Sequence, residues 1–541
     1  MSTVKSRGIL VNQIGYAAHH VKGLLLTGLE PTFHIYNEMT EELVYSGEAE
    51  GPMQDDDSGS VVFQGDFTEL QTPGRYYAVA SGMERSASFI IEEKPYEELQ
   101  QGLLKAFYYF RCGTELEEEF AGPWGHAACH TEPGVIYDQA SQKLDGNGGW
   151  HDAGDYGKYV VPGAKAVADL LLAFELYPAA FTAALPLPES DGIMPDVLHE
   201  CKVELEWLFK MQNQESGGSY HKLTTRSFPD LHVMPEEDEG ELVFSPISAT
   251  ATACHTAVMA LAARLYQPYD ATFAIECLRS SLNGYRWLDN HPQAPGFTNP
   301  EGITTGEYGD DQDVDERFWA AAELYRTTGD EMYHKQLRKL AEEEFSKTEL
   351  GWADMGGYGT FSYLLNGEGG SDPQVYALLK QQVLAEADRL LKVASHNGYQ
   401  IAMEEQDYIW GSNMVLLNRA MFVLLACELE PDLRYIELAD SHLHYLLGRN
   451  VLDVCYVTGF GDRPILYPHH RPSAADAVIE PVPGLVSGGP NRHLNDECLK
   501  EQVSGQPAAA CFIDHEASYA GNEVTIYWNS PAVFVTAGMN R

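Results

Sequence analysis

The chain has 541 residues, 44% of them hydrophobic and 21% charged, and a formal net charge of −45. That length exceeds one ordinary core and predicts two domains, with enough apolar residue to bury a large interior. So negative a chain excludes nucleic acid and anionic membrane as partners, because both are gripped through a basic face.

The balance favours a neutral ligand, and the 30 Tyr and 8 Trp are what a sugar-binding surface uses. The opening "MSTVKSRGILVNQIGY" lacks an apolar signal core, so the expected location is cytoplasmic, with secretion after leader removal as the alternative. No apolar run reaches the roughly 20 residues of a membrane span. Nine scattered cysteines fit a reducing compartment or metal ligation better than a disulfide framework.

In chain order, "GILVNQIGY", "KGLLLTG", "TFHIYNE", "SVVFQGDF", "GRYYAVA" and "SASFIIEE" are short β-branched and aromatic runs. Turn signals such as "TPGR" at 72–75 separate them, and the spacing predicts a β-sandwich over residues 1–92. At "EEKPYEELQQGLLKAFYYFRCG" the period changes to that of a helix: Leu99, Leu103, Ala106 and Phe110 recur at three and four residues. Helical stripes follow near 163–177, 195–212, 248–265, 271–288, 313–328, 330–345, 374–394, 411–429 and 434–447. Residues 93–541 therefore read as a largely helical domain. The expected exception is a strand run at "VCYVTGF", 454–460. The connecting loops are long and rich in Gly, Pro, Asp and aromatics, as functional loops are.

Three loop segments carry chemistry. "GGWHDAGDYGKY" at 148–159 places Asp152 and Asp155 three apart among glycines, so both carboxylates can address one water, one abstracting its proton and the other orienting it. Read alone, a solvated turn or a calcium loop competes with that role. "FIDHEASYAGNEVTIYWNSP" at 512–531 sets Glu523 among Tyr519, Tyr527 and Trp528, an apolar surround of the kind that raises a carboxyl pKa toward that of a general acid. "YVTGFGDRPILYPHHRPS" at 456–473 offers His469, His470 and Arg471 as donors to hydroxyls.

Taken together and in this order, the three segments resemble those of the family-nine glycoside hydrolases, inverting β-1,4-glucanases. The resemblance covers nearly the whole chain. "VNQIGY" is similar to the first strand of the immunoglobulin-like domain some members carry. "DAGDYGKY" matches the catalytic-base segment, and "PHHRPS" the substrate-binding one. Phe512, Asp514, Tyr519, Glu523, Thr525, Asn529 and Ser530 match the second signature.

The resemblance implies an immunoglobulin-like β-sandwich followed by an all-α (α/α)6 barrel. It implies Asp155 as general base, Asp152 as its helper on the water, and Glu523 as general acid. His469, Arg471 and Tyr519 would hold the sugar, and Asp514 matches a signature position with its role open. Inversion requires an acid on one face of the ring and base plus water on the other, with the carboxyls about 6.5–9.5 Å apart. The expected substrate is a soluble β-1,4-glucan or cello-oligosaccharide, cut by a monomer without nucleic acid, membrane or organic cofactor. An exo-acting relative, or a non-catalytic sugar binder on the same scaffold, are the alternatives. Candidate stacking rings are Trp124, Trp319, Trp410, Tyr358, Tyr519 and Tyr527, with Trp124 and Trp410 favoured because they sit in loops.

Two metals are expected. Cys112, Cys129, His130 and His151 offer two thiolates and two imidazoles, a set suited to tetrahedral zinc; a buried thiol pair or a disulfide is the competing reading. Some family members carry a structural zinc on two Cys and two His, and "RCG…CH…GGWHDAGD" is similar to that pattern, with His126 as the substitute for His151. The acidic run Asp310, Asp311, Asp313, Asp315 and Glu316 lacks EF-hand spacing and suits a solvated helix start. The family resemblance implies calcium there, completed by a distant Asp such as Asp354.

Overall fold

The computed structural model describes residues 6–27 and 31–540. By contact the chain forms two units. One comprises 1–106, 387–474 and 478–541; the other comprises 107–386 and 475–477.

The first unit begins with nine strands: β1 Ile9–Leu10, β2 Gly15–Ala17, β3 Gly23–Leu26, β4 Thr32–Asn37, β5 Leu43–Glu48, β6 Glu50–Asp55, β7 Ser60–Asp66, β8 Gly74–Ala80 and β9 Phe89–Glu92. They make two sheets, ordered β1-β3-β7-β6 and β2-β9-β8-β4-β5. Between them lies a core that includes Leu24, Leu26, Phe33, Ile35, Phe67, Tyr76 and Phe89. This is the expected sandwich, and its last strand ends at Glu92. Strands β5 and β6 went unread in the sequence because they are the sheet edges. They are largely exposed, and β6 carries Pro52, so neither shows an alternation of buried and exposed residues.

In the same unit the sandwich is joined to the C-terminal helices by buried polar contacts. Asn12 Nδ2 and the Tyr96 hydroxyl meet His444 and Asp440 on the helix Leu433–Leu446, and the Tyr16 ring packs 4.7 Å from that of His444. At the other end Asp55 accepts the amide of Gly398 at 2.9 Å. The apolar helix Ser412–Leu429 has the length and hydropathy of a membrane span but is mostly buried, as a core helix is. The unit closes on the helix Ile526–Met539, buried throughout. The strand run expected at 454–460 is absent; Cys455 and Val457 make isolated bridges only.

The second unit is built from helices close to the predicted stripes: Val160–Leu176, Asp196–Met211, Ala249–Tyr266, Ala271–Asn290, Val314–Thr328 and Glu331–Ala341. A further helix, Gly356–Leu365, hid behind its glycines. A Cβ on Gly359 would lie 2.5 Å from the Phe318 ring, so glycine is what lets these two helices approach. Sequence reading also missed a small sheet here, formed by β10 Gly134–Ile136, β11 Gln139–Leu144, β12 Lys158–Tyr159, β13 Lys222–Thr224 and β14 Val243–Phe244 in the order β11-β10-β14-β13-β12. Most of its strands have only two or three residues, too few for any period to show.

All nine cysteines lie among the described residues and are free thiols.

Candidate active site

The segment 148–159 is a loop that ends in β12. Asp152 and Asp155 are 1% and 6% exposed, so each carboxylate needs partners to remain charged there. The loop closes on itself, the amide of Asp152 donating to the Gly157 carbonyl at 2.9 Å and the amide of Gly157 to Asp155 Oδ2 at 3.0 Å. The Tyr159 hydroxyl donates to the same Asp155 oxygen at 3.4 Å. A Cβ on Gly157 would come within 2.8 Å of Asp155 Oδ2, which requires glycine at that position.

Asp152 has a partner that sequence reading missed. Tyr308 donates its hydroxyl to Asp152 Oδ2 at 2.5 Å. It does so from a left-handed backbone at φ 45°, rare for an aromatic residue. Its ring meets Trp352 edge-on at 5.0 Å. The acidic run beginning two residues later drew attention away from this tyrosine, and nothing local marks it.

The helix Asp196–Met211 braces the front of the loop. Glu204 accepts the Trp150 amide at 2.7 Å, Glu200 accepts the Trp150 indole N–H at 2.9 Å, and Arg111 closes on Glu200. Burial pushes the Glu204 carboxyl up to about 8.

In the other unit, Glu523 follows the short turn Tyr519–Asn522 and precedes the final helix, which Thr525 caps by accepting the Trp528 amide. The Glu523 carbonyl accepts the Gly488 amide, and the His469 amide donates to the Asn522 carbonyl. Glu523 Oε2 accepts the indole N–H of Trp410 at 3.1 Å. The Trp410 ring lies 5.3 Å from that of Tyr519, which lies 6.1 Å from His469. Trp410 and Tyr519 are 41% and 39% exposed, so their faces are available to a ligand. His469 Nδ1 donates to the Glu516 carbonyl, which leaves Nε2 as the outer nitrogen.

Arg471 starts the short helix that follows His470 and is largely buried. Asp514 accepts the amides of Leu466 and Tyr467 and the Asn522 side chain, so it holds the loop that delivers His469. Its pKa is raised by burial.

The other proposed stacking rings differ. Trp319 and Tyr358 are buried against each other, and Tyr527 packs under Trp528; all three are core. Each of the three stands on a helix, where neighbouring side chains hide the ring. Trp124 is half-buried and meets Tyr109 edge-on at 6.1 Å.

Cys112, Cys129, His130 and His151 bring one donor atom each within 4.8 Å of one another. His126 is not part of this group; its Nδ1 is engaged with the Ala127 carbonyl. His130 Nε2 contacts Asp238, while its buried Nδ1 has no hydrogen-bond partner. Hydrogen bonding from Cys129 pulls the Cys112 thiol well below its usual range. Burial opposes charge on His130, yet Asp238 and Cys112 outweigh it and raise the ring to about 9. The cluster thus favours positive charge at its centre, and its two sulfurs and two imidazoles fit a tetrahedral zinc.

The acidic run separates into two sets. Asp313 is spent on Arg317 at 2.9 Å, and Asp311 is exposed at the surface. Asp310, Asp315, Glu316 and Asp354 act on one another. Burial, then Asp315 and Asp310, push Glu316 well above the carboxylate range, and both its oxygens are buried without a hydrogen bond. Burial likewise raises Asp310 to about 6, with Asp315 and Asp354 adding to the shift. Asp315 also accepts the Met355 amide, beside Asp354. Carboxylates crowded in this way fit a hard divalent cation.

Residues 5–86 match the family model "Cellulase N-terminal ig-like domain" and residues 96–536 the model "Glycosyl hydrolase family 9". A cellodextrinase of Butyrivibrio fibrisolvens is 39% identical over 98% of this chain and 99% of its own. A solved single mutant of a thermostable endoglucanase from Alicyclobacillus acidocaldarius superposes with a TM-score of 0.94 at 42% identity, over 99% of this chain and all of the other. A family 9 endoglucanase solved as a Zn-binding triple mutant superposes at 0.92 and 32% identity, over 97% of this chain and all of its own. The fold is an immunoglobulin-like sandwich followed by an (α/α)6 barrel, and the enzyme is a glycoside hydrolase whose family acts on β-glucan. The chain belongs to glycosyl hydrolase family 9.

Proposed function

We propose that this enzyme is an inverting endo-β-1,4-glucanase acting on soluble β-glucan and cello-oligosaccharides. Glu523 serves as general acid on the glycosidic oxygen. Asp155 serves as general base, and Asp152 orients the water. The observation that carries the acid assignment is the Trp410–Glu523 hydrogen bond beside two exposed aromatic faces: a carboxyl oriented by an indole, next to rings on which a pyranose can stack. On the base side, each aspartate is held through one oxygen by a tyrosine hydroxyl, Asp152 by Tyr308 and Asp155 by Tyr159.

The steps follow from these residues. Trp410 and Tyr519 seat a sugar ring, and the His469 imidazole and Arg471 bind its hydroxyls. Glu523 gives its proton to the leaving oxygen while Asp155 takes one from the water that attacks the anomeric carbon from the opposite face. The sugar configuration inverts, and the cycle closes as Asp155 returns its proton to solvent and Glu523 takes one up.

Two metals belong to this proposal as structural parts. Cys112, Cys129, His130 and His151 would hold zinc, which when bound supplies a closed four-ligand staple and no position for a reacting water. Asp310, Asp315, Glu316 and Asp354 would hold calcium, which supplies charge neutralisation at the loop after Tyr308.

A proton NMR time course of cellopentaose hydrolysis tests the mechanism. The α-anomer is expected first, with mixed product lengths from early turnover. First appearance of the β-anomer overturns inversion. Release of a single product length from the outset favours the exo reading, which the cellodextrinase relative keeps in view.

A further inference from the structure

Lys222 lies on β13, in register opposite Tyr159 of β12, and is fully buried. Its Nζ donates to Asn299 Oδ1 at 2.6 Å, the Gly306 carbonyl at 2.6 Å and Thr305 Oγ1 at 3.0 Å, with the Thr305 carbonyl at 3.3 Å. All four are neutral oxygens. An ammonium group buried without a close carboxylate carries a desolvation cost that a neutral side chain in the same place would avoid. Such a charge calls for a reason beyond packing.

We propose that Lys222 is a positioning residue for hydrolysis: it pins the segment that delivers Tyr308 to Asp152, and it sets a buried ammonium on the strand paired with Tyr159, whose hydroxyl holds Asp155. The proposal rests on the reading of Asp155 as general base.

The pinned segment is short. Thr305 is further tied by Thr224 Oγ1 at 2.8 Å and by Asn299 Nδ2, and the Glu307 carbonyl contacts His221 Nε2 at 3.0 Å. Tyr308 follows immediately in its left-handed conformation, which persists only where neighbours over-determine it. Lys222 supplies three of the bonds that do so.

The charge acts in parallel. The charged groups facing Lys222 are Asp155 from the catalytic loop and Glu307 from the pinned segment. Tyr159 on the paired strand stays neutral, its hydroxyl raised by burial and by Asp155 and Asp152. His221, beside Lys222, also stays neutral, pushed down to about 3 by burial. Coulomb coupling is mutual, so the lysine favours the Asp155 carboxylate as strongly as the carboxylate favours the lysine. Burial lowers the lysine to about 8, which leaves it charged over the neutral range.

The test is kcat and kcat/KM against pH on a cello-oligosaccharide for Lys222→Gln, Lys222→Met and Lys222→Arg. The neutral variants are expected to lower kcat by roughly tenfold or more, with KM within about threefold. They are expected to move the acid limb of kcat/KM upward by about one pH unit. Lys222→Arg, which keeps the charge, is expected to leave that limb in place. A folded Lys222→Gln with wild-type kcat and an unmoved limb overturns the proposal. Where the lysine variants fail to fold, Thr305→Val removes one pin and keeps the ammonium; lower kcat with an unmoved limb is expected, and wild-type kcat overturns the pinning. Asp155→Asn run alongside separates the two readings. If it keeps activity within tenfold, the base assignment fails. If it is inactive while Lys222→Gln is undisturbed, only the role of Lys222 fails.

Discussion

Tyr308 donates its hydroxyl to Asp152 at 2.5 Å across 156 residues of sequence. One oxygen of the proposed water-orienting carboxylate is thereby fixed, and the aspartate cannot swing as a free loop residue would. Tyr308→Phe keeps the ring against Trp352 and removes the bond. It is expected to lower kcat by roughly ten- to a hundredfold with little change in KM, as misplacement of a reacting group does. Steady-state kinetics on cellotetraose would show this, and kcat within twofold of wild type would remove Tyr308 from the positioning of Asp152.

Glu523→Gln retains the shape and an acceptor for the Trp410 indole. Hydrolysis of unactivated cello-oligosaccharides is expected to fall by at least about a thousandfold while binding persists. Calorimetric titration with cellotetraose checks the binding and reducing-sugar release the turnover. Activity within tenfold of wild type rules out Glu523 as the acid.

Removal of metal by a strong chelator is expected to lower the melting temperature by several degrees while sparing turnover at low temperature, because both proposed sites are structural. Cys129→Ser should reproduce the part of the loss that zinc, but not calcium, restores. Metal analysis of the purified protein is the direct check: less than one zinc per chain in protein prepared with zinc present counts against the Cys112, Cys129, His130 and His151 set.

Glu204 gives a pH-dependent prediction. Its folded pKa is raised to about 8, so between the unfolded carboxylate range and pH 8 the native state holds a proton that the unfolded state has lost. Stability from this group therefore falls as pH rises through that window. Glu204→Gln keeps an acceptor for the Trp150 amide without the titration. Its melting temperature should exceed that of wild type by roughly a few degrees at pH 8, with the gap closing toward pH 4.5. A gap that is constant with pH would show that Glu204 does not titrate in this way.

The sandwich is bound to the C-terminal helices through Asn12, Tyr96, Asp440 and His444, all buried. Truncation of residues 1–90 leaves Tyr96, Asp440 and His444 without their strand-side partners, and buried polar groups left unpaired are costly. The truncated protein is expected to aggregate or to melt many degrees lower. A barrel that stays folded with full activity would show that the sandwich is no buttress.

Local chemistry decided much of this protein. Alternating apolar residues marked the inner sandwich strands, three- and four-residue stripes marked the helices, and three motifs marked Asp152, Asp155, His469 and Glu523. Two cysteines and two histidines close together in the chain were enough to suggest a metal cluster, since each side chain advertises its own ligand chemistry. What sequence could not convey depended on which distant segments meet. Tyr308 is paired with Asp152, and the Trp410 indole with Glu523. A tyrosine carries the same hydroxyl wherever it stands, and an indole the same face; the partner opposite it is selected by tertiary packing, which brings together residues tens or hundreds of positions apart.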